Sequence, residues 1–99
     1  MSYQIKWTDE SEFTLNKNLE YLSEKWDLLT INNFLNEVDA EIDRIALNPK
    51  LYGVHNKLEK VHRCVINRHI TLFYKIVSSE KIDLLTFWNT HQDPIELKV

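Results

Sequence analysis

Five side chains in the second half of the chain are of types that move protons or hold phosphates: Arg63, Arg68, His69, Lys75 and His91. They are residue types that metal-free cleavage of an RNA phosphodiester draws on. That reaction requires a base for a ribose 2′-hydroxyl proton, a cation for the charged transition state and an acid for the leaving oxygen. His91 is the sharpest candidate, because an imidazole titrates near neutrality and can act as acid or base. Arg63 is the matching cation. Plainer roles stand beside these: His91 can close a turn before Pro94, and Arg63 can pair with a carboxylate of a protein partner, since arginine is a frequent interface anchor. Arg68 and His69 sit at a polar break, where solvated charge is the default. Tyr74 reads as a core residue whose hydroxyl reaches an edge. His55 and His62 have no metal-ligand spacing with Cys64, so neither a metal nor a cofactor is expected.

The bulk properties bound what such a set can do. Residues 1–99 make one domain with one core, 43% of them hydrophobic and 27% charged. The net charge is −3, which argues against a protein that grips RNA over a wide area, because nucleic-acid binding relies on a cationic surface. Lys50, Lys57, Lys60, Arg63, Arg68 and Lys75 nevertheless give the second half a basic bias, while the acids gather in the first half. A sheet side more basic than the helix side is expected. No apolar run approaches the roughly 20 residues of a membrane span. The start, Met1 to Trp7, has no basic-then-apolar signal pattern. The single cysteine, Cys64, forms no internal disulfide and suits a reducing cytoplasm; it reads as a small apolar residue within a strand.

These residues need elements to position them. Gln4 to Trp7 alternates like a short strand. Thr8 can cap a helix whose first turn carries Asp9, Glu10 and Glu12, where carboxylates suit the helix dipole. Leu15, Leu19, Leu22 and Trp26 form one apolar stripe to about Lys25. Asp27 can cap a second helix, in which Ile31, Phe34, Leu35, Val38, Ile42, Ile45 and Ala46 recur at spacings of three and four, and Asn48-Pro49 ends it. Lys50 to Lys60 predicts a loop with a short strand near 54–58. Runs at Val61–Ile66, Ile70–Val77 and Lys81–Trp88 predict three strands joined by hairpins. Ile70, Leu72, Tyr74 and Ile76 share the expected inward face. In the last strand Ile82, Leu84, Thr86 and Trp88 share one face, with Leu85 and Phe87 on the other. Both faces of that strand are apolar, which predicts either a central position in the sheet or partial cover by a partner. The expected fold is α+β: an N-terminal strand, then a two-helix hairpin packed on a small antiparallel sheet, in the order β-α-α-β-β-β.

This pattern resembles the RelE/ParE toxin superfamily over nearly the whole chain. The carriers are the strand with Trp7 leading into an acidic helix start, and the exit Arg44-Ile45-Ala46-Leu47-Asn48-Pro49. A central hairpin, Val61–Ile66 then Thr71–Ile76, and the ending His91-Gln92-Asp93-Pro94 complete it. His91 stands where the superfamily usually has arginine before Gln-Asp-Pro. The resemblance implies the toxin of a bacterial type II toxin–antitoxin system, associated with plasmid stabilization. Such a protein works in the cytoplasm, arrests growth and is neutralised by a cognate antitoxin. ParE-like members poison DNA gyrase, and the sparse cationic set and the Gln-Asp-Pro ending point that way. RelE-like members instead cut mRNA on the ribosome, a metal-independent endonuclease activity that would make His91 and Arg63 catalytic. A member that has lost toxicity and survives as a binding module is the third possibility. For antitoxin or target binding the resemblance points to Arg63, Arg68, His69, Lys75 and Trp88. The C-terminal tail, with Ile95, Leu97 and Val99, either packs back on the sheet or offers an apolar strip to a partner.

Overall fold

The computed structural model describes residues 2–92 and 94–99. It runs β1 (Gln4–Trp7), α1 (Asp9–Ser23), α2 (Leu28–Leu47), a 3-10 turn (Pro49–Leu51), β2 (Val54–Asn56), β3 (Val61–Val65), β4 (Ile70–Ile76), β5 (Lys81–Asn89) and a second 3-10 turn at 94–96. Helix boundaries follow local chemistry. The Thr8 side chain accepts from the Ser11 amide and Asp27 from the Thr30 amide, each quenching an unpaired donor of the first turn. Pro49 stops α2 because Asn48 before it leaves the helical region (φ −151°, ψ 83°).

The sheet has five strands in the order β1-β5-β4-β3-β2. Four of them are antiparallel neighbours, as expected, with β2 the short strand in the 50–60 segment. The sheet is nevertheless mixed, because β1 lies parallel to β5, with Ile5 opposite Ile82 and Trp7 opposite Leu84. Two helices separate β1 from the rest, which gives the chain room for a crossover that a hairpin lacks.

β5 is an interior strand, between β1 and β4, but its faces differ from the alternation expected along the strand. Tyr74 lies opposite Leu84 and Phe73 opposite Thr86, so Leu85 is an extra residue. This β-bulge reverses the alternation. Phe87 joins Ile82 and Leu84 in the core, whereas Thr86 and Trp88 move to the face away from it. Phe87 then stacks on Trp7, with ring centroids 5.6 Å apart.

The core lies between α2, which contributes Phe34, Val38, Ile42 and Ile45, and the inner sheet face of Cys64, Ile70, Leu72, Tyr74, Ile82, Leu84 and Phe87. Ile76, at the end of β4, is only half-buried. The α1 stripe packs where expected: Leu22 is buried, and Leu15, Leu19 and Trp26 lie against the core. α1 has a second task. β1 pairs with β5 only as far as Leu84, and beyond that α1 side chains take over the edge. The Thr8 hydroxyl donates to the Leu84 carbonyl at 2.6 Å, the Phe87 amide donates to Thr14 Oγ1 at 2.9 Å, and Asn18 Nδ2 donates to the Phe87 carbonyl at 3.0 Å. A helix thereby satisfies strand groups that would otherwise face an apolar wall unpaired. Among the described residues no helix is long and apolar enough to cross a membrane.

Candidate functional site

The candidate residues divide into a cluster at one end of the sheet and single residues spread over its outer face. The cluster is built by two turns. At the β3–β4 hairpin, Asn67 Oδ1 accepts from the amides of His69 (2.8 Å) and Ile70 (3.0 Å), which fixes the tip carrying Arg68 and His69. Past β5, Asn89 Oδ1 accepts from the His91 amide at 2.9 Å, the Asn89 carbonyl accepts from Gln92, and the Asn89 amide donates to Gln92 Oε1. The two turns are tied together, the Thr90 amide donating to the His69 carbonyl at 2.8 Å and its hydroxyl to the Arg68 carbonyl at 3.2 Å.

This backbone frame lays the His91 ring on the His69 ring, centroids 5.5 Å apart at 30°. Arg68 Nε donates to His69 Nε2 at 3.3 Å. Trp26, from the link between the helices, backs His69 at 6.3 Å and is itself wedged edge-on against Phe34. His91 also lines a groove of about 410 Å³ with Phe13, Lys17 and Tyr21 of α1. Lys25 sits over the Tyr21 ring, 4.9 Å from its centroid. The result is an exposed, cationic and aromatic rim. It holds two imidazoles and a guanidinium, groups able to exchange protons and neutralise phosphate.

Arg63 is not part of that rim. It lies on the outer sheet face, exposed, opposite Phe73, which is itself opposite Thr86. Two strand spacings sideways and three residues or more along β5 separate it from His91, more than about 12 Å between backbones. Lys75 shares the outer face, but its Nζ pairs with Glu59 at 3.1 Å. Trp88 is half-buried on that face, and a cleft of about 270 Å³ separates it from the tail residues Glu96, Leu97 and Lys98. The tail packs back: His55 Nε2 lies 2.9 Å from the Val99 carbonyl, and the His55 ring meets Phe73 edge-on. Asp93 of the sequence motif lies outside the described residues.

One polar cluster has no counterpart in the sequence reading. Glu41, on α2, is 12% exposed in its side chain. It accepts from the Tyr52 hydroxyl, from the Cys64 thiol at 3.2 Å, and from Arg44. Burial alone pushes the Glu41 carboxyl upward, but the hydrogen bonds from Tyr52 and Cys64 and the Arg44 charge outweigh it and hold it below the usual range. Burial, then the adjacent Glu41, pushes the Cys64 thiol up to about 12, and the same two causes raise the Tyr52 hydroxyl. Spacing carried the signal for Glu41: three residues after Val38 and four before Ile45, it lies at the margin of the inward stripe. Tyr74 is a core residue, its hydroxyl donating to the Pro49 carbonyl at 2.5 Å. His62 stacks on it, with Nδ1 2.8 Å from the Tyr52 carbonyl. Among the described residues no group of three His, Cys, Asp or Glu is placed to hold a metal.

β1 parallel to β5, a helical hairpin and an otherwise antiparallel sheet make an α+β fold that is known from solved structures. Two solved structures share it. One is a chain of the chromosomal ParDE toxin–antitoxin system of P. aeruginosa, with TM-score 0.72 and 10% identity over 89% of this chain and 96% of that one. The other is a copper-bound mutant toxin from Helicobacter pylori, with TM-score 0.55 and 17% identity over 92% and 97%. No family model matches the sequence, and no curated protein does.

Proposed function

We propose that this chain is the toxin of a type II toxin–antitoxin pair, acting in the cytoplasm by binding a protein target, DNA gyrase, and neutralised by a cognate antitoxin. The observation that carries this reading is the likeness to a ParDE chain over nearly the full length of both. The gyrase target draws on the distribution of charge. Arg63 and His91, which a nuclease of this type would use together, stand apart on the sheet. Lys75 is engaged by Glu59, and the whole molecule carries net negative charge. Binding a protein needs no convergent acid and base. Induced expression is expected to arrest growth, co-expression of a cognate antitoxin to relieve it, and the purified chain to inhibit gyrase supercoiling. Supercoiling that continues unchanged in a large molar excess of the chain removes gyrase from this reading. Growth that never slows removes the toxin.

A ribosome-dependent mRNA endonuclease is the second reading, favoured by the stacked His69–His91 pair beside Arg68. It requires cut transcripts in arrested cells, and their disappearance in His91→Ala.

A further inference from the structure

We propose that a second cationic cleft, at the opposite end of the sheet from His91, docks an acidic, aliphatic peptide segment of a protein partner. This goes beyond the toxin reading and does not depend on its target. The cleft, about 790 Å³, runs from β2 past the ends of β3 and β4 to the residues before β1. Lys50, Lys57 and Lys60 line it, together with His62 and the hydroxyl-bearing Ser78 and Ser79. No Asp or Glu lines it, in a chain that has 15 of them. Among the described residues none of the three lysines has a carboxylate partner within 4.0 Å. Three unneutralised ammonium groups around one concavity attract carboxylates and repel cations.

The rest of the lining selects among anions. Val54, which is 52% exposed, and half-buried Ile76 provide aliphatic surface beside the lysines. A bare phosphate chain would leave that surface wet, whereas a peptide with alternating acidic and aliphatic side chains covers it. Base stacking needs a free aromatic plane, and the rings here are engaged: His62 lies flat on Tyr74, Tyr52 meets Tyr74 edge-on with its hydroxyl held by Glu41, and half-buried Tyr3 packs against the core. β2 ends the sheet order, with no strand beyond it among the described residues. An extended segment can therefore run beside this edge.

The test is fluorescence anisotropy with a labelled decapeptide of alternating glutamate and valine. The same peptide with glutamine for glutamate and a labelled RNA decamer are the comparators. The glutamate peptide is expected to bind, with affinity falling as salt rises, and its glutamine version to bind about tenfold more weakly or worse. Lys50→Gln with Lys57→Gln and Lys60→Asn should weaken the glutamate peptide by a similar factor. Asparagine is chosen at position 60 because Lys60 has φ 57°, a left-handed conformation that asparagine tolerates. The Lys50→Gln/Lys57→Gln double variant, which leaves that position intact, should move the same way. Lys17→Gln/Lys25→Gln, at the other end of the sheet, should not. Several outcomes overturn the proposal: no binding of the glutamate peptide at about 1 mM, equal binding of the glutamine peptide, or full binding by folded double and triple variants. RNA binding that is tighter than peptide binding and lost in the same variants also overturns it, and assigns the cleft to nucleic acid. Loss of growth arrest has no bearing on this result, nor does this result bear on growth arrest.

Discussion

The Glu41 cluster and the His69–His91 rim are both polar, yet they are held in opposite ways. Glu41 is fixed by side chains from three separate places: Arg44 on its own helix, Tyr52 after the 3-10 turn and Cys64 on β3. Every member is another member's partner, and the largely covered carboxylate is compensated. At the rim, the backbone does the positioning. Asn67 and Asn89 shape the turns, and the two imidazoles rest on each other with few anchors of their own. The first arrangement makes the side chains indispensable to the fold. The second sets them in place at little cost to stability and leaves the exposed His91 ring accessible, as a binding or reacting site requires.

Removing Glu41 should show the difference most strongly. Glu41→Ala leaves the Tyr52 hydroxyl and Cys64 thiol facing the core without an acceptor, and should lower the unfolding free energy by about 2–3 kcal/mol. Urea denaturation measures this, and a loss under about 1 kcal/mol would place Glu41 with ordinary surface acids. The same carboxylate sets a pH signature. Its pKa is depressed in the fold below the ordinary value of 4.5, so its stabilisation is complete above that unfolded value. It is lost as pH falls through the lower folded value. Stability of the native chain relative to Glu41→Gln should therefore be flat from pH 7 to about 5 and shrink below about 4. A difference that grew on acidification would reverse the sign assigned here.

The seal of α1 on β5 lies between the two extremes. Thr14→Val keeps the shape of the side chain but removes the oxygen that accepts from the Phe87 amide at 2.9 Å. A loss of about 1–2 kcal/mol is expected, since a largely buried amide loses its partner. Hydrogen exchange should show faster opening at Phe87 than at Leu72, a β4 residue that keeps a strand on either side. Unchanged exchange at Phe87 would mean that water or a shifted Asn18 replaces the threonine.

Legibility followed the range of the physics. Thr8, Asp27 and Asn48-Pro49 mark helix ends through contacts a few residues away, and the structure places those ends there. The inward stripe of α2 and the inner face of β4 follow from periods of 3.6 and 2, again local. Leu85 is different. A bulge is specified by what sits across the sheet, so strict alternation along β5 assigned Thr86 and Trp88 to the wrong face. The parallel pairing of β1 with β5 joins residues more than 70 positions apart, and apolar alternation is the same in either direction. Glu41 was hidden for a related reason. Among Glu37, Asp39 and Asp43 it reads as one more helix acid: its spacing marks only the margin of the inward stripe, and the packing of Tyr52 and Cys64 over it leaves the side chain 12% exposed. Of the candidate site, Arg68, His69 and His91 were identifiable by type. Their convergence depends on the tie through Thr90, which no residue spacing encodes.

The smallest effect on stability is the most informative about function. His69→Ala and His91→Ala should each change the unfolding free energy by less than about 0.5 kcal/mol, because neither ring is buried and backbone turns hold the site. With the fold unaltered, growth arrest becomes a direct readout of the rings. A nuclease that uses imidazole as acid or base should lose about 100-fold or more of its cleavage on either substitution, the usual scale of general acid–base catalysis. A gyrase-binding toxin should lose affinity only in proportion to the contact area removed, and raising its expression should restore arrest. The titration of arrest against expression level therefore separates chemistry from binding at the same two residues. Destabilisation by more than about 1.5 kcal/mol in either variant would place the rim with Glu41 among the groups that hold the fold, and the contrast between the two regions would fail.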